Sequence, residues 1–206
     1  MTSAEPASTP APRVLIAEDE ALIRMDLAEM LAEEGYDVVA QAADGEEAVR
    51  LAQECRPDLV MMDVQMPKLD GIAAASLIAA DRIAPVVMLT AFSQRELVDR
   101  AREAGAMAYL VKPFNQSDLV PAIEIALSRF AEIRQLESEI GDLTEQLAAR
   151  KVIERAKAVL VASLGLSEPD AFRWIQKTAM DLRIPMRQVA DRVVAEGPRI
   201  ATPDSD

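Results

Sequence analysis

Two hydrophobic periods run along the first 125 residues. Short apolar runs occur at Arg13–Ala17 (RVLIA), Asp37–Gln41 (DVVAQ), Asp58–Met62 (DLVMM), Pro85–Leu89 (PVVML) and Met107–Val111 (MAYLV). Three of them are almost continuously apolar, as expected of parallel strands covered on both faces. Between the runs the spacing turns helical. Ile23, Leu27, Met30 and Leu31 follow i, i+4, i+7, i+8, and Gly35 stands where that helix should stop. Five such βα units predict a doubly wound α/β domain with a five-stranded parallel sheet. From Ser117 onward the pattern is purely helical, with Pro121 expected near the first turn, where a missing N–H costs little. Ile133, Leu136, Ile140, Leu143 and Leu147 then alternate spacings of three and four among charged residues, which predicts a coiled-coil helix whose stripe is read as a parallel dimer seam, the alternative being an intramolecular packing stripe. Three short helices follow Arg150. The first spans about Lys151–Leu164, with Ile153, Ala156 and Leu160 inward. The second opens at Ser167-Glu168-Pro169-Asp170, with Phe172, Ile175 and Ala179 inward. The third begins near Pro185 and buries Val189, Ala190 and Val193. So small a bundle is marginal alone and calls for support from the preceding helix or a second copy.

The expected organisation is a disordered lead-in over 1–12, an α/β domain over 13–128, a coiled-coil linker over 129–149, a helical domain over 150–197 and a flexible tail over 198–206. Charge separates the halves. Residues 1–149 hold 12 Lys and Arg against 27 Asp and Glu, whereas residues 150–200 hold 10 against 6. Two modules with different partners are implied, although a net excess of four is also compatible with an ordinary solvated surface. The polar, Pro-rich lead-in lacks the features of a signal peptide, and no run of 18 or more uncharged apolar residues predicts a membrane span. The single Cys55 cannot form an internal disulfide, which fits a cytoplasmic location. The chain has no histidine, so Ser-His-Asp chemistry, Cys-His chemistry and His-ligated metals are excluded within it.

Open α/β sheets place their sites at the carboxyl ends of the strands. Glu18 and Asp19 follow the first run, Asp63 the third, Thr90 the fourth and Lys112-Pro113 the fifth. Singly, each reads as an ordinary loop residue. Together, they converge on one pocket. Crowded carboxylates repel one another and favour a hard divalent cation such as Mg²⁺, which takes oxygen ligands. Beside such an ion Asp63 can act as a nucleophile toward a phosphoryl group, with Lys112 and Thr90 binding the phosphoryl oxygens. A cis Lys112–Pro113 bond would aim Lys112 inward, and X–Pro is the common context for that isomer.

The strings VLIAEDE, LVMMDVQMPKLDG, MLTAF and YLVKPF together resemble the receiver domain of two-component response regulators, a flavodoxin-like fold. The resemblance covers about residues 12–128. It implies phosphorylation of Asp63 by a separate sensor histidine kinase, since the chain has no phosphohistidine of its own, or by a small-molecule donor. It also implies Mg²⁺ held by Asp19, Asp63 and the backbone carbonyl of Gln65, with Glu18 acting from behind or through water. A switch is implied too, in which Thr90 moves toward the phosphate and Tyr109 turns inward. The family more often has Asp where Glu18 stands.

Among the basic residues of the last module, Lys151 and Arg155, and likewise Arg173 and Lys177, are spaced i, i+4 and share a helix face. Such faces suit a phosphate backbone; a solvated surface looks the same. RKVIERAKAVL, EPDAFRWIQKTAM and PMRQVADRVV resemble the ANTAR domain of antitermination regulators, with Ala158 where that family usually has Gly. The resemblance implies binding of RNA stem-loops and transcription antitermination, with Lys151, Arg155, Lys157, Arg173 and Lys177 as candidate RNA contacts; the coiled-coil spacing, separately, offers a homodimer through 129–149. No enzyme activity is expected beyond self-phosphorylation and hydrolysis at Asp63. Two alternatives are a DNA-binding response regulator and a phosphorylation-gated protein-interaction module.

Overall fold

The computed structural model describes residues 10–91 and 95–198, with the side chains of 95–98 excepted. Most of the lead-in, the tail from 199 and Phe92 of the fourth motif therefore lie outside the described residues. Five strands form one parallel sheet of order β2-β1-β3-β4-β5. They are β1 (Arg13–Ala17), β2 (Asp37–Ala42), β3 (Leu59–Asp63), β4 (Val86–Thr90) and β5 (Ala108–Val111). Helices α1 (Ala21–Glu33), α2 (Gly45–Cys55), α3 (Gly71–Ala80), α4 (Arg95–Glu103) and α5 (Gln116–Leu164) alternate with them, and α6 (Glu168–Leu182) and α7 (Met186–Glu196) follow. The expected doubly wound parallel sheet is therefore present.

Successive strand residues face opposite sides of the sheet, which explains the continuous apolar runs. Val14, Ile16, Leu59, Met61, Val87 and Leu89 pack with Leu27 and Leu31 of α1 and Leu119, Ile123 and Ala126 of α5. Leu15, Ala17, Val60, Met62, Val86 and Met88 pack with Ala48 and Ala52 of α2, Ala74, Ala75 and Ile78 of α3 and Ala101 of α4. Each large side chain fully buried this way contributes roughly 1.5–3 kcal/mol.

Strand ends differ from expectation by a residue for identifiable reasons. Asp58 stays outside β3 because its carboxylate accepts the Arg13 backbone N–H at 2.8 Å. Pro85 only accepts, taking the Val60 N–H on its carbonyl at 2.9 Å, and β4 starts after it. Gly35 does end α1, at φ +83°. Pro121 is not in the first turn. The Asn115 N–H donates to the Asp118 carboxylate at 3.1 Å and the Ser117 N–H to Asn115 Oδ1 at 3.1 Å. This capping starts α5 at Gln116 and puts Pro121 within the helix.

The chain divides into two compact units between Arg134 and Gln135. In the second, the expected separation of linker and first output helix near Arg150 does not occur. No proline or loop-forming sequence interrupts the helix there, and α5 continues to Leu164, with Gly165 beyond it at φ +68°. Ala156, Leu160, Ala171, Ile175, Ala179, Val189, Ala190 and Val193 form this unit's core. Phe172 is a correction to the expected inward set: it is 42 % exposed. The buried face of α6 is Ala171, Ile175, Thr178 and Ala179, so the inward stripe is centred one residue away. Leu136, Ile140, Leu143 and Leu147 are all exposed.

Candidate functional site

The carboxyl ends of the strands bring the predicted residues together. Glu18 and Asp19 leave β1, Asp63 ends β3, Thr90 ends β4 and Lys112 follows β5. Asp19, Asp63, Gln65, Thr90 and Lys112 line one cavity of about 200 Å³. Glu18 lies behind it, fully buried. Carboxylate oxygens of Glu18, Asp19 and Asp63 all lie within 4.8 Å of one another. Lys112 Nζ sits 2.5 Å from Glu18 Oε2 and 3.0 Å from Asp63 Oδ1. The Lys112–Pro113 peptide is cis, and the Lys112 backbone N–H donates to the Thr90 carbonyl at 2.8 Å.

Burial dominates the electrostatics. It pushes the Asp63 carboxyl above its ordinary range, against the opposing pull of Lys112. Burial raises Glu18 as well, opposed by its hydrogen bond from Lys112 and reinforced by the Asp63 charge. For Lys112 burial acts downward, but hydrogen bonds to Glu18 and Asp63 outweigh it and leave the ammonium above its ordinary pKa. Crowded oxygens with one ammonium among them form a site that fits a hard divalent cation and a phosphoryl group.

Three supports were missed from sequence. Arg24 donates through Nη1 to the Glu18 carbonyl and lies 3.5 Å from the Asp19 carbonyl, steadying the loop that presents both acids. Lys68 pairs with Asp44 at 2.5 Å, joining the start of α2 to the loop after Asp63. Gly71 packs against the Asp63 backbone, where an added Cβ would lie 1.8 Å from the carbonyl oxygen. Only Gly71 had a local signal, the Asp70-Gly71 pair at a helix start. Arg24 and Lys68 read as ordinary surface cations.

Tyr109 is 52 % exposed on β5. In the second unit Lys151 and Arg155 are exposed on α5, and Arg173 and Lys177 on α6. Arg173 pairs with Asp170 at 2.7 Å. Lys157 differs from these four. Its side chain is only 14 % exposed, 2.8 Å from Glu154 and 3.9 Å from Glu168, and the Glu154 hydrogen bond raises its pKa.

A parallel sheet of this order, with clustered acids and a lysine at its carboxyl edge, defines a receiver-type domain. The family model for the response regulator receiver domain matches residues 14–124 and that for the ANTAR domain matches 141–194. The chain belongs to the response regulators that combine a receiver domain with an ANTAR domain. It is 66 % identical over 182 residues to "Transcriptional regulatory protein PdtaR" of Mycobacterium tuberculosis (strain CDC 1551 / Oshkosh), covering 88 % of this chain and 89 % of that one. Among solved structures it resembles the signal receiver domain of a modulated diguanylate cyclase from Desulfovibrio desulfuricans G20. There the TM-score is 0.55 and the identity 35 %, over 59 % of this chain and 97 % of that one. It also resembles a chain of the CheX-CheY-BeF3-Mg+2 complex from Borrelia burgdorferi, with a TM-score of 0.52 and 32 % identity, over 54 % and 85 %. Among the described residues no helix is long and apolar enough to cross a membrane.

Proposed function

We propose that this regulator is switched by phosphorylation of Asp63, with Mg²⁺ bound beside it, and that the switch controls binding of RNA stem-loops and transcription antitermination. The observation that carries the reading is Lys112 set between Glu18 and Asp63 at the mouth of an acidic pocket. Asp63 Oδ attacks the phosphorus of a partner kinase's phosphohistidine. The new O–P bond replaces the P–N bond, and the departing imidazole takes a proton from solvent. Lys112 then exchanges its contact with Asp63 for the incoming phosphoryl oxygens, Thr90 donates its hydroxyl to them, and Glu18 keeps the ammonium in place. Asp19, Asp63 and the Gln65 carbonyl would hold the ion, with Glu18 behind them. When bound, it supplies charge neutralisation for the transferring group. A relative solved in a complex containing BeF3 and Mg+2 supports this assignment.

Phosphorylation adds roughly −1.5 to −2 charges. This biases Thr90 and Tyr109, and through them the α5 stripe from Leu136 to Leu147, toward a homodimer that presents two output modules to two hairpins. Bivalent engagement of this kind strengthens binding without new contacts. The match of residues 141–194 to the ANTAR family supports an RNA target, with Lys151, Arg155, Arg173 and Lys177 as accessible phosphate contacts and Lys157 acting through Glu154 and Glu168. The test is a titration of labelled two-hairpin RNA at fixed salt with wild type and Asp63→Ala, with and without acetyl phosphate and Mg²⁺. Donor-dependent tightening in wild type alone supports the reading. Equal, donor-independent binding by both proteins removes the switch.

A further inference from the structure

The outward face of α6 has a composition that core packing does not explain. Phe172, Gln176 and Met180 follow i, i+4, i+8, and Arg173 and Lys177 form the adjacent stripe. Phe172 is 42 % and Met180 72 % exposed. Aromatics are scarce here, with one Trp, two Tyr and four Phe, and the other described ones in α5 and α6 have partners. Phe130 lies under Arg134, 6.0 Å from guanidinium to ring centroid, and Trp174 packs against the buried cluster of its unit. Phe172 does neither.

We propose that Phe172 is a stacking platform for an unpaired loop base of the bound RNA, with Lys177 and Arg173 holding the adjoining phosphates. The proposal rests on the RNA-binding reading and names the RNA element that this face takes. Every nucleobase has a π-face, so an exposed aromatic beside cations captures a base irrespective of its identity. No ion pair involving Lys177 is present among the described residues. Arg173 pairs with Asp170, but at 73 % and 48 % side-chain exposure this pair exchanges for a phosphate at little cost. Asp170 is also held by Ser167 Oγ at 2.5 Å. A stripe of three side chains on one helix is small beside the roughly 800 Å² per partner of a stable protein interface, whereas one base covers it. The basic excess of residues 150–200, 10 against 6, matches an anionic strand.

The test uses the full-length protein and a pool of two-hairpin RNAs with randomised loops, beside the same stems carrying abasic loops of equal length. Wild type is expected to prefer base-bearing loops by roughly tenfold. Phe172→Ala and Phe172→Leu lose that preference, Phe172→Tyr and Phe172→Trp keep it, and Lys177→Gln weakens both pools alike. Thermal melts confirm that the variants fold; Leu retains apolar bulk without a π-face. If wild type binds both pools equally, or Phe172→Leu retains the preference, the platform is wrong while RNA binding stands. If Phe172→Leu alters self-association and leaves both RNA affinities unchanged, the face is a contact between copies and the proposal is overturned. If wild type binds neither pool at low salt, the RNA reading falls and the platform with it.

Discussion

Replacing Gly71 with alanine sets two opposing effects against each other. Gly71 is the first residue of α3, with Asp70 as its N-cap accepting the Ala73 N–H at 2.7 Å. Its φ is not positive, so alanine suits the backbone, and in a helix the change normally gains roughly 0.5–1 kcal/mol. Here the new Cβ would sit 1.8 Å from the Asp63 carbonyl oxygen and 2.8 Å from its carbon, well under the 3.0 Å that real contacts keep. The obstructing atoms are backbone, so the loop after Asp63 or the start of α3 must move by more than an ångström. Overpacking of this kind costs about 1–3 kcal/mol, and an unyielding backbone puts it at the upper end. The expected net loss is about 2 kcal/mol, or roughly 5–10 °C in Tm for a unit of this size. Gly141→Ala is the internal control, since an added Cβ there meets nothing within 4 Å and should stabilise by about 0.5–1 kcal/mol. Circular dichroism melts of both variants read the opposite signs. Acetyl phosphate labelling of Gly71→Ala should also slow about 100-fold, because Asp63 itself is displaced. A Gly71→Ala protein melting at or above wild type would refute this packing of α3 against the loop after Asp63.

Other expectations concern charge and association. Burial raises Asp63 and Glu18, so their stabilising contribution is complete below the unfolded carboxyl pKa and lost as pH rises through the folded values. Asp63→Asn should therefore melt above wild type at pH 7 in EDTA, the gap closing toward pH 4. Mg²⁺ should raise wild type alone, and equal melting in EDTA or an equal Mg²⁺ response in both counts against the crowded-carboxylate account. Asp44 is shifted the other way, its Lys68 hydrogen bond holding it below 3.8, so its contribution is present above the unfolded pKa and lost as pH falls through the folded one. Asp44→Asn keeps the cap, and its deficit against wild type should be seen at pH 7 and shrink as pH falls below the ordinary carboxylate range; a pH-independent deficit contradicts the assignment. Ile140 and Leu143 are 63 % and 59 % exposed, so Ile140→Asp with Leu143→Asp should change single-chain stability little while abolishing self-association in sedimentation of donor-treated protein. Unchanged association would place any dimer contact elsewhere.

The α/β half was legible because parallel strands buried on both faces read as apolar runs, and the first polar residue after a run marks the edge where a site forms. Glu18, Asp63 and Thr90 were found in this way. Pro121 was misplaced because the Asn115 and Asp118 caps that start α5 lie upstream of the apolar period. Phe172 was misjudged because Phe172, Ile175, Ala179 and Ala171, Ile175, Ala179 both satisfy helical spacing. The larger apolar side chain is the natural choice for the core, yet the facing helices leave room for alanine at the centre of the stripe. Arg24 and Lys68 were invisible because their partners, a backbone carbonyl and an acid 24 residues away, leave no local pattern.

The charge balance of the pocket joins these observations to the proposed switch. With Glu18, Asp19 and Asp63 ionised and Lys112 among them, the cluster carries a net charge of −2, which one divalent ion neutralises. A phosphoryl group arriving without that ion would meet two uncompensated charges at short range in a partly desolvated site, where Coulomb repulsion of several kcal/mol is expected. Lys112 alone cannot remove it, because its ammonium already serves Glu18 at 2.5 Å and Asp63 at 3.0 Å. The Glu18 side chain, one methylene longer than an aspartate, is what reaches that ammonium from behind. The lysine is thereby anchored at the pocket, and in the proposed switch phosphorylation would exchange only its Asp63 contact. A shorter acid at position 18 would leave Lys112 to follow the phosphoryl group alone. Glu18→Asp should accordingly retain Mg²⁺ binding but alter phosphoryl lifetime in labelled-decay measurements; an unchanged lifetime would mean that Glu18 does not hold the lysine in the phosphorylated state.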